Sequence, residues 1–410
     1  MDRRHFVKGC GAAAGAMALP AYVAGYTQQA KAPIATAADG PASFPFYDAM
    51  PRLVPIRADA DRIFRITVCT RPFRAAGPRL DIEKVGDKFV VHNYGHGGSG
   101  WSLSWGSADV VVKKLLANGS GQKEIAVIGC GALGLTAALT AQRAGLRVTI
   151  YAKDQAPYVR SVRAGGTWSP DSRVALNGVP GPDFAAQWEQ MARTSLAMYM
   201  SYIGTPGTPI EWTDRYALSD VAPGEAPPRP AVHDFAKYSD RIADVMPKRH
   251  EIPAGMHPFP AKYVVRDTSI TFNVADYARQ LMADFLLAGG KVEMREFHSP
   301  GELTSLPQRD IINCPGYAAR KLWSDESVIP VRGQINWLIP QPGATYGLSW
   351  HGMGILARRD AIVLGSNPLG DDTGWNDDTE VPDRAAALSA IAILQQLYGL
   401  MEKTQPVRSS

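Results

Sequence analysis

Cysteine is scarce in this sequence, which limits what can hold the fold together covalently. Four cysteines occur in 410 residues, and the first of them, Cys10, lies close to the N-terminus. The other three, Cys69, Cys130 and Cys314, are an odd number, and none follows the spacing of a metal site. A disulfide framework or a zinc site is therefore not expected, and Cys130 is interpreted as a small filler between two glycines.

Excess charge of one sign is also lacking. The chain has 43 Lys and Arg against 39 Asp and Glu, a formal net charge of +4, and no basic block beyond its first residues. A nucleic-acid partner is therefore not expected. The length is sufficient for a large core, in one two-part domain or two closely associated domains.

A long apolar run is missing from the N-terminus, although a targeting signal is present there. Arg3 and Arg4 begin the run Arg-Arg-His-Phe-Val-Lys, and residues 9–25 are small and mildly apolar, with Pro20 among them. This pattern predicts a twin-arginine signal, although Asp2 stands where Ser or Thr is more usual. A basic tail before an Ala-rich membrane helix is the alternative, and Pro20 makes such a helix a poor span.

We therefore expect export, to the periplasm, by the twin-arginine translocation machinery. Residues 1–37 are interpreted as signal and tether, and Ala35-Thr36-Ala37 is a suitable cleavage site. That route carries proteins that are already folded, often around a cofactor, so disulfides formed after export are not needed.

Hydrophobic periodicity predicts an α/β protein. Segments rich in β-formers, or with alternating polarity, predict strands at residues 62–70, 79–91, 124–129, 147–152, 291–295, 310–313, 333–338 and 361–365. Helical periodicity appears at residues 101–116, 132–144, 183–203, 275–288 and 383–400. Residues 204–265, with many prolines, are expected to be irregular.

A glycine fingerprint lies between a predicted strand and a predicted helix. Gly129, Gly131 and Gly134, with Ala132 and Leu133 among them, form Gly-x-Gly-x-x-Gly. The first glycine permits a tight turn, the second lets the backbone approach a pyrophosphate, and the third lets helix and strand pack closely. After the next strand, Asp154 is the candidate ribose partner, with Lys153 before it. The fingerprint alone does not distinguish NAD from FAD.

A longer stretch decides between these cofactors. Residues 91–106 read Val-His-Asn-Tyr-Gly-His-Gly-Gly-Ser-Gly-Trp-Ser-Leu-Ser-Trp-Gly, which closely resembles the signature of the D-amino-acid oxidase family. Residues 71–74 and 78–80 look like that family's strand with its carboxylate-binding arginine. Residues 164–168, 312–316 and 331–335 are similar to its flavin-side segments. The resemblance implies FAD, in a Rossmann-type FAD-binding domain joined to a mixed-sheet substrate domain.

The order of these segments departs from the family. There the fingerprint comes first and the His-Asn-Tyr-Gly-His-Gly-Gly stretch last, whereas here residues 117–123 join the latter to the former. We expect a circular permutation, which proteins tolerate where the chain ends are close and exposed. The two-part fold is expected over residues 60–410. Its FAD-binding parts are expected at about 90–180 and 270–335, and its substrate parts at about 60–90, 181–270 and 335–380.

The resemblance assigns site residues. Cofactor binding is expected from the fingerprint and from a wider set: Gly97, Gly98, Ser99, Gly100, Trp101, Ser102, Gly129, Gly131, Ala132, Leu133, Gly134, Lys153, Asp154, Arg163, Ala164, Gly165, Gly166, Thr167, Trp168, Cys314 and Gly316. Gly98 is counted as catalytic as well, because N–H groups at a helix start stabilise negative charge on a flavin. The alternative for Trp168 is plain core packing.

Substrate contacts are expected from Arg79, Met353, Gly354 and Tyr346. Arg79 is the candidate for the substrate carboxylate, because guanidinium is a planar two-pronged donor; the alternative is an ordinary surface ion pair. Met353 and Gly354 stand where the family tends to place tyrosines, so the cover of the site is expected from Tyr346, Trp350 or Trp337 instead. Arg358 is either a second cation, favouring acidic substrates, or the partner of Asp360.

Two histidines of the signature, His92 and His96, are interpreted as structural, because the family needs no acid–base group. The leading hypothesis is oxidative deamination of a D-amino acid, or of glycine or an N-substituted amino acid, with O2 as acceptor and H2O2 as product. The alternatives are a dehydrogenase that passes electrons to a quinone or another carrier, and a non-catalytic flavin- or ligand-binding protein.

Overall fold

The computed structural model describes residues 53–222, 225 and 232–404. The predicted signal and tether at residues 1–37, with the twin arginines and the cleavage site, lie outside the described residues. No helix in the described part of the chain is long and apolar enough to cross a membrane.

The described residues contain fourteen strands and six α-helices. The strands are β1 (Ile63–Phe73), β2 (Ile82–Val85), β3 (Lys88–His92), β4 (Glu124–Ile128), β5 (Arg147–Ala152), β6 (Ile210–Ser219), β7 (His250–Ile252), β8 (Tyr263–Phe272), β9 (Lys291–Met294), β10 (Asp310–Asn313), β11 (Ile329–Leu338), β12 (Tyr346–Trp350), β13 (Met353–Ala357) and β14 (Ile362–Ser366). The helices are α1 (Gly100–Asn118), α2 (Ala132–Arg143), α3 (Phe184–Met200), α4 (Val274–Leu287), α5 (Ala319–Leu322) and α6 (Arg384–Thr404).

A six-stranded sheet has the order β2-β3-β10-β4-β5-β9. Its strands run parallel except for β2, which pairs antiparallel with β3. All of β10, and β4 after its first residue, are buried, as expected for parallel strands in the middle of a sheet. The helices α1 and α2 pack against each other, and α3 packs on α1. The long core cluster between them contains Trp105 and Trp188.

An eight-stranded sheet has the order β1-β11-β14-β13-β12-β6-β8-β7. Only the β12–β6 pair is parallel among its strands in the described chain. Helix α6 packs on β13 and β14, and together they form a second core. The α/β class with mixed sheets is thus confirmed.

Two expectations differ from the structure. The segment 204–265 is not irregular throughout, because it supplies β6, β7 and the start of β8, whose backbones pair with each other across the sheet. The expected boundary at residue 90 is wrong in part, since β2 and β3 belong to the six-stranded sheet with the fingerprint strand β4. The reason is the β2–β3 hairpin, whose second strand continues into the parallel ladder with β10.

Candidate active site

The two glycine clusters of the sequence line one cavity of about 1030 Å³. Gly97, Gly98, Gly100 and Trp101 contribute one side of it, and the segment from Gly129 to Leu133 contributes another. Strands of the eight-stranded sheet supply further lining residues, including Gly354 and Leu356. These members of the expected cofactor set therefore lie on one cavity, whereas Ser99, Ser102 and Gly134 do not line it. The volume is at the upper end of the range for small-molecule and cofactor sites.

The fingerprint has the geometry of a dinucleotide turn. Gly129 has φ +98°, and a side chain on it would overlap the carbonyl oxygen of Cys314. Gly134 does not line the cavity, because it packs so close to the Gly129 carbonyl that a Cβ there would overlap it. The N–H of Ala132, in the first turn of α2, donates to Ser161 Oγ at 3.1 Å. The start of α2 thus faces the cavity with its positive dipole end, which favours phosphate groups.

The segment that leads into α1 differs in detail from the expectation. Gly97, at φ +55°, donates its N–H to the Pro72 carbonyl at 2.7 Å, and Gly98 donates its N–H to the Ser172 carbonyl at 2.9 Å. The amide of Gly98 is therefore not free to stabilise negative charge on a ligand, which removes the basis for its expected role. An added Cβ on Gly100 would meet no protein atom within 4 Å, so its backbone faces open cavity.

Two serines of this turn do not line the cavity. Ser99 Oγ donates to the His96 carbonyl at 2.7 Å, and Ser102 Oγ accepts the N–H of Ser169 at 2.9 Å. Both hydroxyls are engaged inside the protein. We therefore assign them a role in ordering the turn rather than in direct cofactor contact.

The segment 163–168 approaches the cavity from the other side. Its residues Arg163, Ala164, Gly165, Gly166 and Thr167 line the cavity as expected. Trp168 does not: it is buried, with its ring edge-on to Tyr199 at 5.7 Å between centroids. The alternative of plain core packing is therefore the correct one for Trp168.

The remaining predicted cofactor residues lie at the carboxyl ends of parallel strands. Lys153 and Asp154 follow β5, Cys314 and Gly316 follow β10, and all four line the cavity. Glu296, after β9, also lines the cavity and pairs with Lys153 at 3.4 Å. The sequence analysis missed Glu296, although an acidic residue directly after a predicted strand could have been expected at the carboxyl edge of the sheet, where ligands bind.

Arg79 lies elsewhere. Its guanidinium pairs with Asp81 and Glu83, each at 2.9 Å, and donates to the Tyr94 hydroxyl at 3.0 Å. It does not line the cavity. The expectation that Arg79 reaches into the site is wrong, because acidic residues on its own hairpin occupy its donors.

Two of the three other substrate contacts are also wrong. Met353 is buried in the core beneath α6, while its neighbour Gly354 lines the cavity, because successive residues of a strand face opposite sides. The hydroxyl of Tyr346 donates to the Val54 carbonyl at 2.8 Å and lies 2.8 Å from the Tyr398 hydroxyl, away from the cavity. Gly354 alone is placed as expected.

Arg358 forms the salt bridge that was one of its two interpretations. Its Nε and Nη2 each bind one oxygen of Asp360 at 2.8 Å, and its guanidinium lies over the Trp337 ring at 4.8 Å from the centroid. It does not line the cavity, so it supplies no second cation there.

Arg71 takes the position expected of Arg79. It lies on β1, lines the cavity, and donates from Nη1 to the Arg332 carbonyl at 3.3 Å. Its guanidinium occupies the place where a side chain on Gly333 would stand. Burial lowers the pKa of Arg71, and among the described residues no carboxylate forms an ion pair with it. The signal was present, because residues 71–74 carry the resemblance to the strand with the carboxylate-binding arginine.

A second arginine, Arg215 on β6, also lines the cavity. Its Nη2 donates to the Ile270 carbonyl at 2.7 Å and to Thr271 Oγ1 at 3.3 Å, while its buried Nε has no hydrogen-bond partner among the described residues. Burial lowers the pKa of Arg215 to about 10. Sequence reasoning missed it, because it treated 204–265 as irregular.

The two histidines of the signature differ. His92 is held by Glu83 at 3.0 Å on Nε2 and by Asn313 at 3.0 Å on Nδ1, away from the cavity. His96 lines the cavity with both ring nitrogens buried and without a partner in the described chain. Burial lowers its pKa to about 3, so the ring is neutral at physiological pH.

The sequence and the fold were compared with known proteins. A D-amino-acid oxidase from Streptomyces coelicolor is 26% identical over 311 residues, which are 70% of this chain and 85% of that protein. A D-amino-acid oxidase from Rubrobacter xylanophilus is 28% identical over 213 residues, 51% of this chain and 57% of that protein. The crystal structure of iminodiacetate oxidase from Chelativorans sp. BNC1 superposes with a TM-score of 0.47 at 15% identity, over 68% of this chain and 79% of that one.

The match to a protein family covers more than half of the chain. Residues 124–406 match the family described as FAD dependent oxidoreductase, abbreviated DAO. This range includes the fingerprint, the 163–168 segment and all of the eight-stranded sheet except β1. On this match, the chain belongs to the DAO family of FAD dependent oxidoreductases.

Proposed function

We propose that the protein binds FAD and oxidises an amino acid, in the first place a D-amino acid, or a related amine. The products are the imino acid, which hydrolyses to a keto acid and ammonia, and H2O2 formed from O2. The observation that carries this proposal is Arg71, a half-buried guanidinium in the cavity that has no carboxylate partner among the described residues.

The cavity is suited to the cofactor by shape. Added side chains on Gly100, Gly316 or Gly354 would meet no protein atom within 4 Å, so these three backbone positions, all of which line the cavity, leave room for a ligand. The start of α2 directs its positive dipole end at the cavity, which favours phosphate groups, and Asp154 and Glu296 supply acceptors for a ribose. When bound, FAD supplies the two-electron oxidant that no amino-acid side chain provides.

Arg71 then fixes the substrate. A bidentate pair with the α-carboxylate holds the amino acid in one orientation, and because the guanidinium is desolvated, the pair is strong. Gly333 lets Arg71 lie flat across β11, since any side chain there would displace the guanidinium. Positioning of this kind lowers the barrier by restricting the reacting groups before reaction.

Apolar residues keep water from the substrate. Ile335, Leu348, Leu356 and Phe272 line the cavity, and none of them offers a proton-transfer group. His96 stays neutral because of its low pKa of about 3, which allows it to donate one hydrogen bond and accept another without adding charge. The substrate amine is therefore expected to enter already deprotonated, and the rate should rise with pH as the amine loses its proton.

Anaerobic mixing of the FAD-loaded protein with D- and L-amino acids and N-methyl amines tests the proposal. Bleaching of the flavin absorbance by one of these classes supports it. No bleaching by any of them would overturn it and leave a ligand-binding protein. Readmission of air then separates an oxidase, which forms peroxide stoichiometrically, from a dehydrogenase, which needs another acceptor.

Two further proposals concern the chain as a whole. We propose export through the twin-arginine pathway, supported by Arg3 and Arg4. We also propose that the chain is a circular permutation of the family's usual order. The support is spatial: α1 packs on α2, which follows β4, so the residues 119–123 need to span only a short distance.

A further inference from the structure

Arg215 is not needed for the proposed function, although it is costly to bury. It lies on β6 with its side chain against β12, where a Cβ on Gly347 would come within 3.0 Å of its Cγ. Its buried Nε has no partner in the described chain, and the described residues give it no ion pair. An enclosed N–H without a hydrogen-bond partner is destabilising, and Asp267 on β8 acts on this guanidinium only through space, so the retention of Arg215 indicates a ligand that accepts a hydrogen bond from Nε.

Most other arginines of the cavity have carboxylate partners within the protein. The pairs are Arg160 and Arg163 with Glu380, Arg173 with Asp371, and Arg249 with Asp267. Arg295, near the strand end with Lys153, donates to Ser305 Oγ at 2.6 Å and lies over the Phe297 ring. Arg71, Arg215 and Arg295 are the half-buried arginines of the described cavity lining that form no salt bridge with a carboxylate, and of these three only Arg215 has an enclosed Nε without a hydrogen-bond partner.

Contacts from Arg215 lead to the cavity-lining residue Thr167. Its Nη2 donates a hydrogen bond to Thr271 Oγ1, and the backbone of Thr271 forms an isolated antiparallel β-bridge with Thr167. From there Ser169 N binds Ser102 Oγ in α1, and the same turn reaches β1 through Gly97 N and the Pro72 carbonyl. Arg215 therefore belongs to the region that surrounds the proposed reaction site, not to a separate surface.

The two guanidinium groups do not share one carboxylate. Four strands separate β1 from β6 in the sheet, and at about 4.8 Å per strand the two backbones lie about 24 Å apart along it. Each arginine therefore reaches into the cavity from its own side. The strands between them present Gly354 and Gly365 to the cavity, which leaves the floor open for an extended ligand.

We propose that Arg215 binds a second carboxylate of the substrate, so that the preferred substrates are dicarboxylic amino acids. This inference rests on the proposed function, because it assigns the first carboxylate to Arg71. A carboxylate that accepts from the free Nε and from a terminal N–H completes the hydrogen bonding of the buried guanidinium. A neutral side chain at the same place leaves that donor unsatisfied, which is the strongest means by which a site rejects an analogue.

The first arm of the test is binding without turnover. Purified, FAD-loaded protein is titrated with succinate and with butyrate, which have the same number of carbons, and the shift of the flavin absorbance gives each Kd. Succinate is expected to bind at least about thirtyfold more tightly than butyrate. In Arg215→Met this ratio is expected to fall to about one. Equal affinities in the unaltered protein would overturn the inference.

The second arm is turnover of the isosteric pair D-glutamate and D-glutamine. We expect kcat/KM to favour D-glutamate by about a hundredfold, and Arg215→Met to remove this preference mainly through KM for D-glutamate. Arg215→Lys should still prefer D-glutamate to D-glutamine, but less strongly than the unaltered protein, because an ammonium lacks the two parallel N–H donors of a guanidinium. This variant also keeps the test open if the methionine variant does not fold.

Arg249→Met is the matched control. Arg249 also lines the cavity, but its side chain is 74% exposed and lies 3.8 Å from Asp267. Removing this charge should leave the acid-to-amide ratio within about threefold, because exposed charges are screened. A ratio that falls equally in both variants would show that net cavity charge, not Arg215, selects the substrate.

Failures of the two proposals are distinguishable. If no amino acid reduces the flavin but succinate still binds through Arg215, the proposed oxidation fails and the second carboxylate site stands. If D-glutamine and D-alanine are oxidised as well as D-glutamate, only the inference on Arg215 fails. A shift of the flavin reduction potential in Arg215→Met, with unchanged acid preference, would place Arg215 at the cofactor instead.

Discussion

Replacing Arg71 by methionine should nearly abolish oxidation of amino acids without harming the fold. The proposed pair with the substrate carboxylate has two charge-assisted hydrogen bonds in a desolvated site, worth about 1.5–3 kcal/mol each, so their loss costs about 3–6 kcal/mol. This corresponds to a fall in kcat/KM of about two to four orders of magnitude. Arg71→Lys should recover part of the loss, since an ammonium lacks the planar fork.

The stability of the same variant gives a second, independent measurement. Arg71 makes a single hydrogen bond of 3.3 Å to the Arg332 carbonyl, and among the described residues no carboxylate pairs with it. Replacing a desolvated charge by an apolar side chain of similar length should therefore leave the free energy of unfolding unchanged or raise it. A thermal denaturation midpoint that rises while activity falls is the signature of a residue kept for function.

Arg79→Gln is the control for Arg71→Met. Arg79 pairs with Asp81 and Glu83 and lies off the cavity, so kcat/KM should stay within about threefold while stability falls by about 1 kcal/mol. The rate of flavin reduction by a D-amino acid is measured by stopped flow for both variants at equal flavin content. A normal rate in Arg71→Met combined with a large loss in Arg79→Gln would refute our assignment and restore Arg79 to the site.

Three further outcomes are expected. Gly134→Ala should lower stability by about 1–3 kcal/mol, because its Cβ overlaps the Gly129 carbonyl, whereas Gly100→Ala should keep the apoprotein's denaturation midpoint and weaken FAD binding measured by flavin fluorescence. His96 has a pKa of about 3 in the folded protein, below its usual value of 6.5, so the unfolded chain takes up the proton first and the folded state loses stability as the pH falls below 6.5. The free energy of unfolding measured in urea should therefore fall by about 2 kcal/mol between pH 7.5 and pH 5, and His96→Asn should flatten this dependence. Changing Arg3 and Arg4 to Lys should retain an unprocessed, flavin-loaded protein inside the cell, and continued export would show the motif to be accidental.

The sequence determined the parts of this protein whose chemistry is local. The fingerprint from Gly129 to Gly134 needs glycine for a positive φ and for close backbone approach, and both requirements are visible in the residue types. Alternation and helical periodicity likewise predicted most strands and helices. The segment 91–106 predicted a second wall of the cofactor cavity by resemblance, and Gly97 and Gly98 line that cavity.

The direction and partners of side chains were decided only by the tertiary structure. Arg71 and Arg79 are arginines eight positions apart in the sequence, but Asp81 and Glu83 occupy the donors of Arg79, while Gly333 on β11, the strand paired with β1, leaves room for Arg71. The long segment 204–265 hid Arg215, because its proline content indicates loops while its strands are stabilised by pairing with each other. A guanidinium becomes a binding group only where the fold buries it without a partner, and that depends on residues far away in the chain.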